Sequence, residues 1–166
     1  MPIVIRPTQV RDLPALLLIY NHEVLNGTAT LDLHPKTDAD WNEWYAAHQN
    51  GNHLSLTAEH DGVAIGYATL SRYREKEAYK ATVELSIYVH PSHRCRGVAS
   101  ELMSEILRIA RERGDVHTVI SVITSENEPS LKLHQKFGFT YSGTIREVGE
   151  KFGKMLDIHN YQLILS

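Results

Sequence analysis

Apolar residues recur along this chain with two periods, and the changes between them mark out its elements. Over 12–26, Leu13, Leu16, Leu17, Tyr20 and Val24 fall on one helix face, and Asn26-Gly27 stops the helix. Positions 28–35 carry no period and predict irregular chain. Thr37 or Asp38 then caps a second helix that turns Trp41, Trp44 and Tyr45 inward. A short strand over 3–6 precedes the first helix. Alternation over 54–59 and 63–71 flanks Asp61-Gly62, a favoured two-residue hairpin turn.

A long strand follows over 81–90, where Val83, Leu85, Ile87 and Val89 alternate with Thr82, Glu84, Ser86 and Tyr88. The helical period returns over 97–113, with Val98, Leu102, Ile106 and Ile109 as its apolar stripe. Residues 116–123 form a β-branched strand, 129–137 a short helix ending at Gly138, and 139–148 and 156–165 two strands expected to pair. There is no repeat, low-complexity tract or linker. The pattern predicts a single α/β domain over 1–166, a mixed sheet with helices on its faces.

Composition sets modest limits. At 166 residues the chain can bury a full core without metal or disulfide support. A net charge of −3 gives no sign of a nucleic-acid surface or a polybasic membrane patch. Cys95 is the single cysteine, which excludes an intramolecular disulfide and fits a reducing compartment. MPIVIRPT has no signal-peptide core, and the apolar run over 15–20 is too short to span a bilayer. A cytoplasmic location is expected. The ten histidines are scattered without ligand spacing, so no metal is expected.

The chemistry concentrates in HPSHRCRGVAS, residues 90–100, between the long strand and the helix after it. A loop that opens a helix presents unpaired backbone N–H groups at the positive end of the helix dipole, a ready anion site. Gly97 and Ala99 keep side-chain bulk away, and Arg94 and Arg96 add charge, an arrangement that suits a diphosphate. The stretch is neither G-x-G-x-x-G nor a P-loop.

The R-x-x-G-x-A run from Arg94 to Ala99 after VELSIYV resembles the acetyl-coenzyme A loop of the Gcn5-related N-acetyltransferases. NHEVLNGTATLD, TVELSIYV and SENEPSLKLHQKFGF extend the likeness, which is greatest to the phosphinothricin and methionine sulfoximine N-acetyltransferase branch. The resemblance implies a twisted, mostly antiparallel sheet of about seven strands with four helices. It implies that Cys95, Arg96, Gly97, Val98, Ala99 and Ser100 hold the diphosphate of acetyl-CoA through their backbone. Ile87, Tyr88 and Val89 would pair with the pantetheine amides as an added strand does, Asn127 would bond the same arm, and Lys136 would meet the nucleotide end. Cys95 is not expected to act as a nucleophile, because a thiolate there would repel the phosphates.

Acetyl transfer to an amine needs a neutral amine, donors for the charge developing on the carbonyl oxygen, and a proton for the departing sulfur. Glu84, on the polar side of the long strand, is the expected base. Backbone N–H groups near 87–89 are the expected oxyanion donors. His134 occupies the position where relatives carry an acid tyrosine, and it shares a helix face with Asn127 and Leu131. Tyr88 and Tyr141 keep the identity of the acid open.

SRYREKEAYKAT, residues 71–82, resembles a loop that closes over a small amino acid. Arg72 and Arg74 would grip its anionic group, because guanidinium forks match carboxylates and phosphinates, with Tyr79 and Thr82 beside them. Thr28, Thr30 and Leu31 would form the opposite wall, joined by Lys151 from the C-terminal hairpin of its own or a partner subunit. The resemblance implies a homodimer that acetylates the α-amine of an amino acid such as phosphinothricin or methionine sulfoximine. Acetylation of a polyamine, an antibiotic or a protein N-terminus, and a non-catalytic acetyl-CoA-binding regulator, remain the alternatives.

Overall fold

Residues 2–165, described here by a computed structural model, place the alternating segments in one sheet and the helical ones on its two faces. The elements in chain order are β1 (Val4–Pro7), α1 (Leu13–Asn26), α2 (Asp38–Ala47), β2 (Gln49–Asn50), β3 (His53–His60), β4 (Val63–Arg72), β5 (Thr82–Val89), α3 (Val98–Arg113), β6 (Thr118–Thr124), α4 (Glu128–Lys136), β7 (Thr140–Lys151) and β8 (Lys154–Ile164). The strands lie in the order β1-β3-β4-β5-β6-β8-β7, with the two-residue β2 on β3. Every pairing is antiparallel except β5 with β6. Among the described residues no helix is long and apolar enough to cross a membrane.

Alternation decides which residues face which helices. On one face Val83 and Leu85 of β5 pack with Leu102, Met103 and Ile106 of α3. On the other, Leu13, Leu16 and Trp41 of α1 and α2 cover Ala64, Tyr67 and Tyr88. Ile109, expected on the buried stripe of α3, is only partly covered. The polar residues of β5 therefore face the α1–α2 layer, and a cleft between layers can hold them. A capping box starts α2: Thr37 Oγ1 accepts from Asp40 N at 3.1 Å, and the Asp40 carboxylate accepts from Thr37 N at 2.8 Å.

The β3–β4 hairpin turns at Asp61-Gly62 as expected, both with positive φ, and His60 pairs with Val63. The C-terminal strands do pair, but they run longer than expected and meet at Phe152-Gly153, which also has positive φ at both positions. Phe-Gly is not a customary turn pair, and the polar residues before it hid the strand. Leu102 is fully buried at the centre of the α3 core. Leu102→Ala should cost about 3 kcal/mol, read as a lower urea midpoint at unchanged slope.

Candidate active site

The parallel contact of β5 with β6 covers only Thr82, Val83 and Glu84 opposite Thr118, Val119 and Ile120. Beyond Glu84 the strands separate, while β4 stays paired with β5 as far as Val89. One backbone edge of Ile87, Tyr88 and Val89 is thus left without a strand partner, a surface to which an extended amide chain can add. His134 and Ser121 fill the space behind the split. His134 is only 4 % exposed. Its Nδ1 lies 2.7 Å from Ser130 O and its Nε2 2.8 Å from Ser121 Oγ, which is itself 3.4 Å from Leu85 O.

That geometry bears on the acid role expected of His134. Burial lowers its pKa, so the ring is neutral. A neutral ring facing a carbonyl at Nδ1 carries its proton there, so Nε2 accepts from the Ser121 hydroxyl. With that tautomer the nitrogen facing Ser121 carries no proton.

At the other end of β5 the anion loop is built as its residue types require. Cys95 and Gly97 have φ of 63° and 81°, and Gly97 is the N-cap of α3. No side chain caps this helix, whose first intrahelical bond is Glu101 N to Gly97 O at 3.0 Å. The N–H groups of Val98, Ala99 and Ser100 are left for an anion. The Val98 side chain anchors the turn in the core. Lys136 Nζ reaches Ser100 Oγ at 3.4 Å, which brings a cation from α4 to the same helix start, and Arg96 is exposed beside it. Asn127 spends its side-chain oxygen capping α4 at Ser130 N, 3.3 Å away. Its amide nitrogen remains for a ligand. Uncapped amides flanked by Arg96 and Lys136, with a free strand edge leading away from them, fit a diphosphate on an extended amide arm.

Arg94 is engaged elsewhere. Its Nη2 donates to Glu23 Oε2 at 3.1 Å, and its Nε lies 3.4 Å from Val89 O. Cys95 is exposed at the loop tip.

Between β4, β5 and the α1–α2 layer lies a cavity of about 690 Å³. Glu84, Ser86, Tyr88, Thr30 and Leu31 line it, with Tyr20, Trp41, Trp44 and Tyr67 as an aromatic wall. Glu84 sits where the strands part. Its carboxylate has no hydrogen-bonding or charged partner among the described residues, and burial alone raises its pKa above the usual glutamate range. Burial also holds the Tyr88 hydroxyl protonated. Tyr88 thus offers its backbone edge to one side and its ring to the cavity, against Tyr20 and Tyr67.

The other expected acceptor contacts lie apart from this cavity. Arg72, Arg74 and Tyr79 are exposed, with the Arg74 guanidinium over the Tyr73 ring and Tyr79 against its edge. Thr82 opens β5 outside the lining. Within this chain Arg74 and Tyr79 pack on Tyr73, and none of Arg72, Arg74, Tyr79 and Thr82 lines the pocket. Thr28 donates to Glu126 rather than facing the cavity. Lys151 is 3 % exposed and donates to Thr30 O at 2.8 Å, with Glu23 O at 3.5 Å, so it supports the wall from behind. Tyr141, the other tyrosine considered as acid, lies exposed on β7 with its hydroxyl 2.6 Å from Thr144 Oγ1.

Sequence reasoning missed Lys36, the one cation of the lining, along with Asp40 and Glu43. Lys36 is pinned at the lip, its N–H donating to Asn21 Oδ1 at 2.8 Å and its carbonyl accepting from Asn21 Nδ2 at 3.0 Å. A lone lysine just before a helix cap was its only signal. Among the described residues no three His, Cys, Asp or Glu side chains come together as a metal site.

The sequence profile of the acetyltransferase (GNAT) family matches residues 18–139. An L-methionine sulfoximine/L-methionine sulfone acetyltransferase of Salmonella typhimurium is 38 % identical over 97 % of this chain and 94 % of its own. A phosphinothricin N-acetyltransferase of Streptomyces coelicolor is 37 % identical over 95 % of this chain and 94 % of its own. A GNAT-superfamily phosphinothricin acetyltransferase from Sinorhizobium meliloti, crystallised with acetyl-CoA, superposes with a TM-score of 0.95 at 31 % identity, covering 100 % of this chain and 90 % of the other. The split sheet, the uncapped helix start after it and these full-length likenesses agree: the chain belongs to the GNAT family of acetyltransferases.

Proposed function

We propose that this enzyme transfers the acetyl group of acetyl-CoA to the α-amine of a small amino acid or close analogue, with L-methionine sulfoximine and phosphinothricin as the first acceptors to try. The observation that carries the proposal is Glu84, a half-buried carboxylate without a partner, on the cavity wall where β5 leaves β6. Acetyl-CoA supplies an acyl thioester along the free edge of Ile87, Tyr88 and Val89. Its diphosphate would be held by the backbone of Cys95, Arg96, Gly97, Val98, Ala99 and Ser100, with Arg94 and Lys136 in reach and Asn127 on the pantetheine arm.

An amine is mostly protonated at neutral pH and must lose a proton before it attacks. Glu84 accepts that proton directly or through one water, and its raised pKa brings it nearer the optimum for a base working at neutral pH. Backbone N–H groups along 87–89 take up charge on the carbonyl oxygen, each worth roughly 2.7–4 kcal/mol in a closed site. Among the protonated tyrosines of the lining, Tyr88, whose backbone forms the free edge, would give the proton to the sulfur. Lys36 would hold the acceptor's carboxylate, and Thr30 and Leu31 would pack on its side chain. Arg72, Arg74, Tyr79 and Thr82 would contribute only after the 71–82 loop moves or from a partner subunit.

The chain is also proposed to form a homodimer in the cytoplasm. The edge strand β7 exposes Tyr141, Ile145 and Val148, an apolar edge that a second copy would cover. A second reading of the acceptor has its own support. The cavity wall carries Asp40, Glu43 and Glu84 against Lys36 alone, a balance that suits a cationic amine such as a polyamine.

Thiol release from acetyl-CoA with a panel of amino acids and polyamines decides between the two, and turnover only on polyamines would reject the amino-acid assignment. With the amino acid, Glu84→Gln should lower kcat/KM by about 10²–10⁴ and remove the acid limb of its pH profile, while acetyl-CoA still binds. Lys36→Met should raise KM about tenfold for the amino acid but not for the corresponding decarboxylated amine.

Stability supplies a separate check. Folding raises the pKa of Glu84, so the ionised group destabilises the protein above its folded pKa and costs nothing below the ordinary glutamate range. Glu84→Gln should raise Tm at about pH 8 and leave it unchanged at about pH 3.5. An equal shift at both values would remove burial of the charge as its cause.

A further inference from the structure

Glu23 is a buried carboxylate that takes no part in the chemistry above, and it sits between the two halves of the site. Its Oε2 accepts from Arg94, at the start of the anion loop, at 3.1 Å. Its Oε1 accepts from Ala29 N at 3.2 Å, in the segment that forms the acceptor wall. Lys151 Nζ spans the Thr30 and Glu23 main-chain oxygens from the other side, and its charge is felt by Glu23. Thr30 in turn meets the Tyr20 hydroxyl at 2.9 Å on the cavity wall. The room for this carboxylate is set by Gly27, where a Cβ would lie 1.8 Å from Glu23 Oε1. The Glu23 carboxylate therefore joins Arg94 of the proposed diphosphate loop to Ala29 N of the wall, while Lys151 holds the main chain at Glu23 and Thr30.

We propose that Glu23 is a positioning residue that transmits occupancy of the diphosphate loop to the acceptor wall through Arg94. The inference rests on the assignment of that loop to the coenzyme A diphosphate. Arg94 has half its side chain exposed and a single carboxylate partner, so a doubly charged diphosphate beside it competes for the guanidinium on favourable terms. Once Arg94 turns to the phosphates, the Glu23 carboxylate is left to Ala29 N and the field of Lys151. Its hold on residues 29–31 tightens, and the wall that contains Thr30 and Leu31 is set before the amine arrives. Acetyl-CoA would then bind first and improve the site for the acceptor.

Two substitutions separate this from a purely structural role, because they act on the wall in opposite senses. Glu23→Gln keeps an oxygen for Ala29 N but removes the charge. Arg94→Gln removes the competing cation and leaves Glu23 in its loaded arrangement. The measurement is amide hydrogen exchange of peptides covering 28–33, with and without saturating coenzyme A, alongside calorimetry of coenzyme A binding.

In the parent protein coenzyme A should slow exchange there about tenfold. Arg94→Gln should show the slow rate even without coenzyme A. Glu23→Gln should show the fast rate in both states, and Arg94→Lys should restore the response. Coenzyme A binding with equal protection in the parent and Glu23→Gln, or faster exchange in free Arg94→Gln, would overturn the role of Glu23 alone. No coenzyme A binding by the parent would overturn the loop assignment with it.

Discussion

Everything functional in this fold follows from the place where β5 stops pairing with β6. Three residues of parallel ladder hold the sheet together, and past Glu84 the two strands diverge. Backbone amides buried without partners are costly, so such an edge survives only where something else can satisfy them. The split therefore does two things. It opens a polar edge for an extended amide ligand, and it uncovers the one strand carboxylate that the rest of the sheet would have covered. His134 and Ser121 stand behind the gap and satisfy one another there, which keeps it from closing as apolar core.

The charged groups around this opening fall into two kinds. Glu84 is half-buried without a partner, which destabilises its charged form and, in the proposed mechanism, gives a carboxyl with the proton affinity of a base. Lys151 and Glu23 are buried with partners and hold the 28–31 segment against the β7–β8 hairpin. Lys154 and Thr28 add a second tie through Glu126 on the surface. The proposed acceptor wall is thus an irregular segment held by polar contacts at its back, while its front carries aromatic and apolar surface.

The sequence made some of this legible and hid the rest for physical reasons. Strong periodicity located α3 and β5, and the small Gly97 and Ala99 beside Arg94 and Arg96 marked the anion loop between them. The polar side of β5 was readable from alternation, and the resemblance of VELSIYV to the family singled out Glu84 on it. Arg72 and Arg74 could not be placed, because nothing local says whether an exposed loop folds over a cavity or stacks on its own tyrosine. Residue type and helix face point to His134, but they do not reveal that both ring nitrogens meet protein atoms. The places of Lys151 and Lys36 depend on contacts 121 and 15 residues apart in the chain, respectively, which no short window contains.

The most direct test of the whole account is an amide chemical-shift titration of the ¹⁵N-labelled protein with coenzyme A. Two separated groups of amides should move together and saturate at one concentration: residues 95–100 at the start of α3, and 87–89 on the free edge of β5. Shifts confined to other surfaces, or none at concentrations that saturate related enzymes, would contradict it.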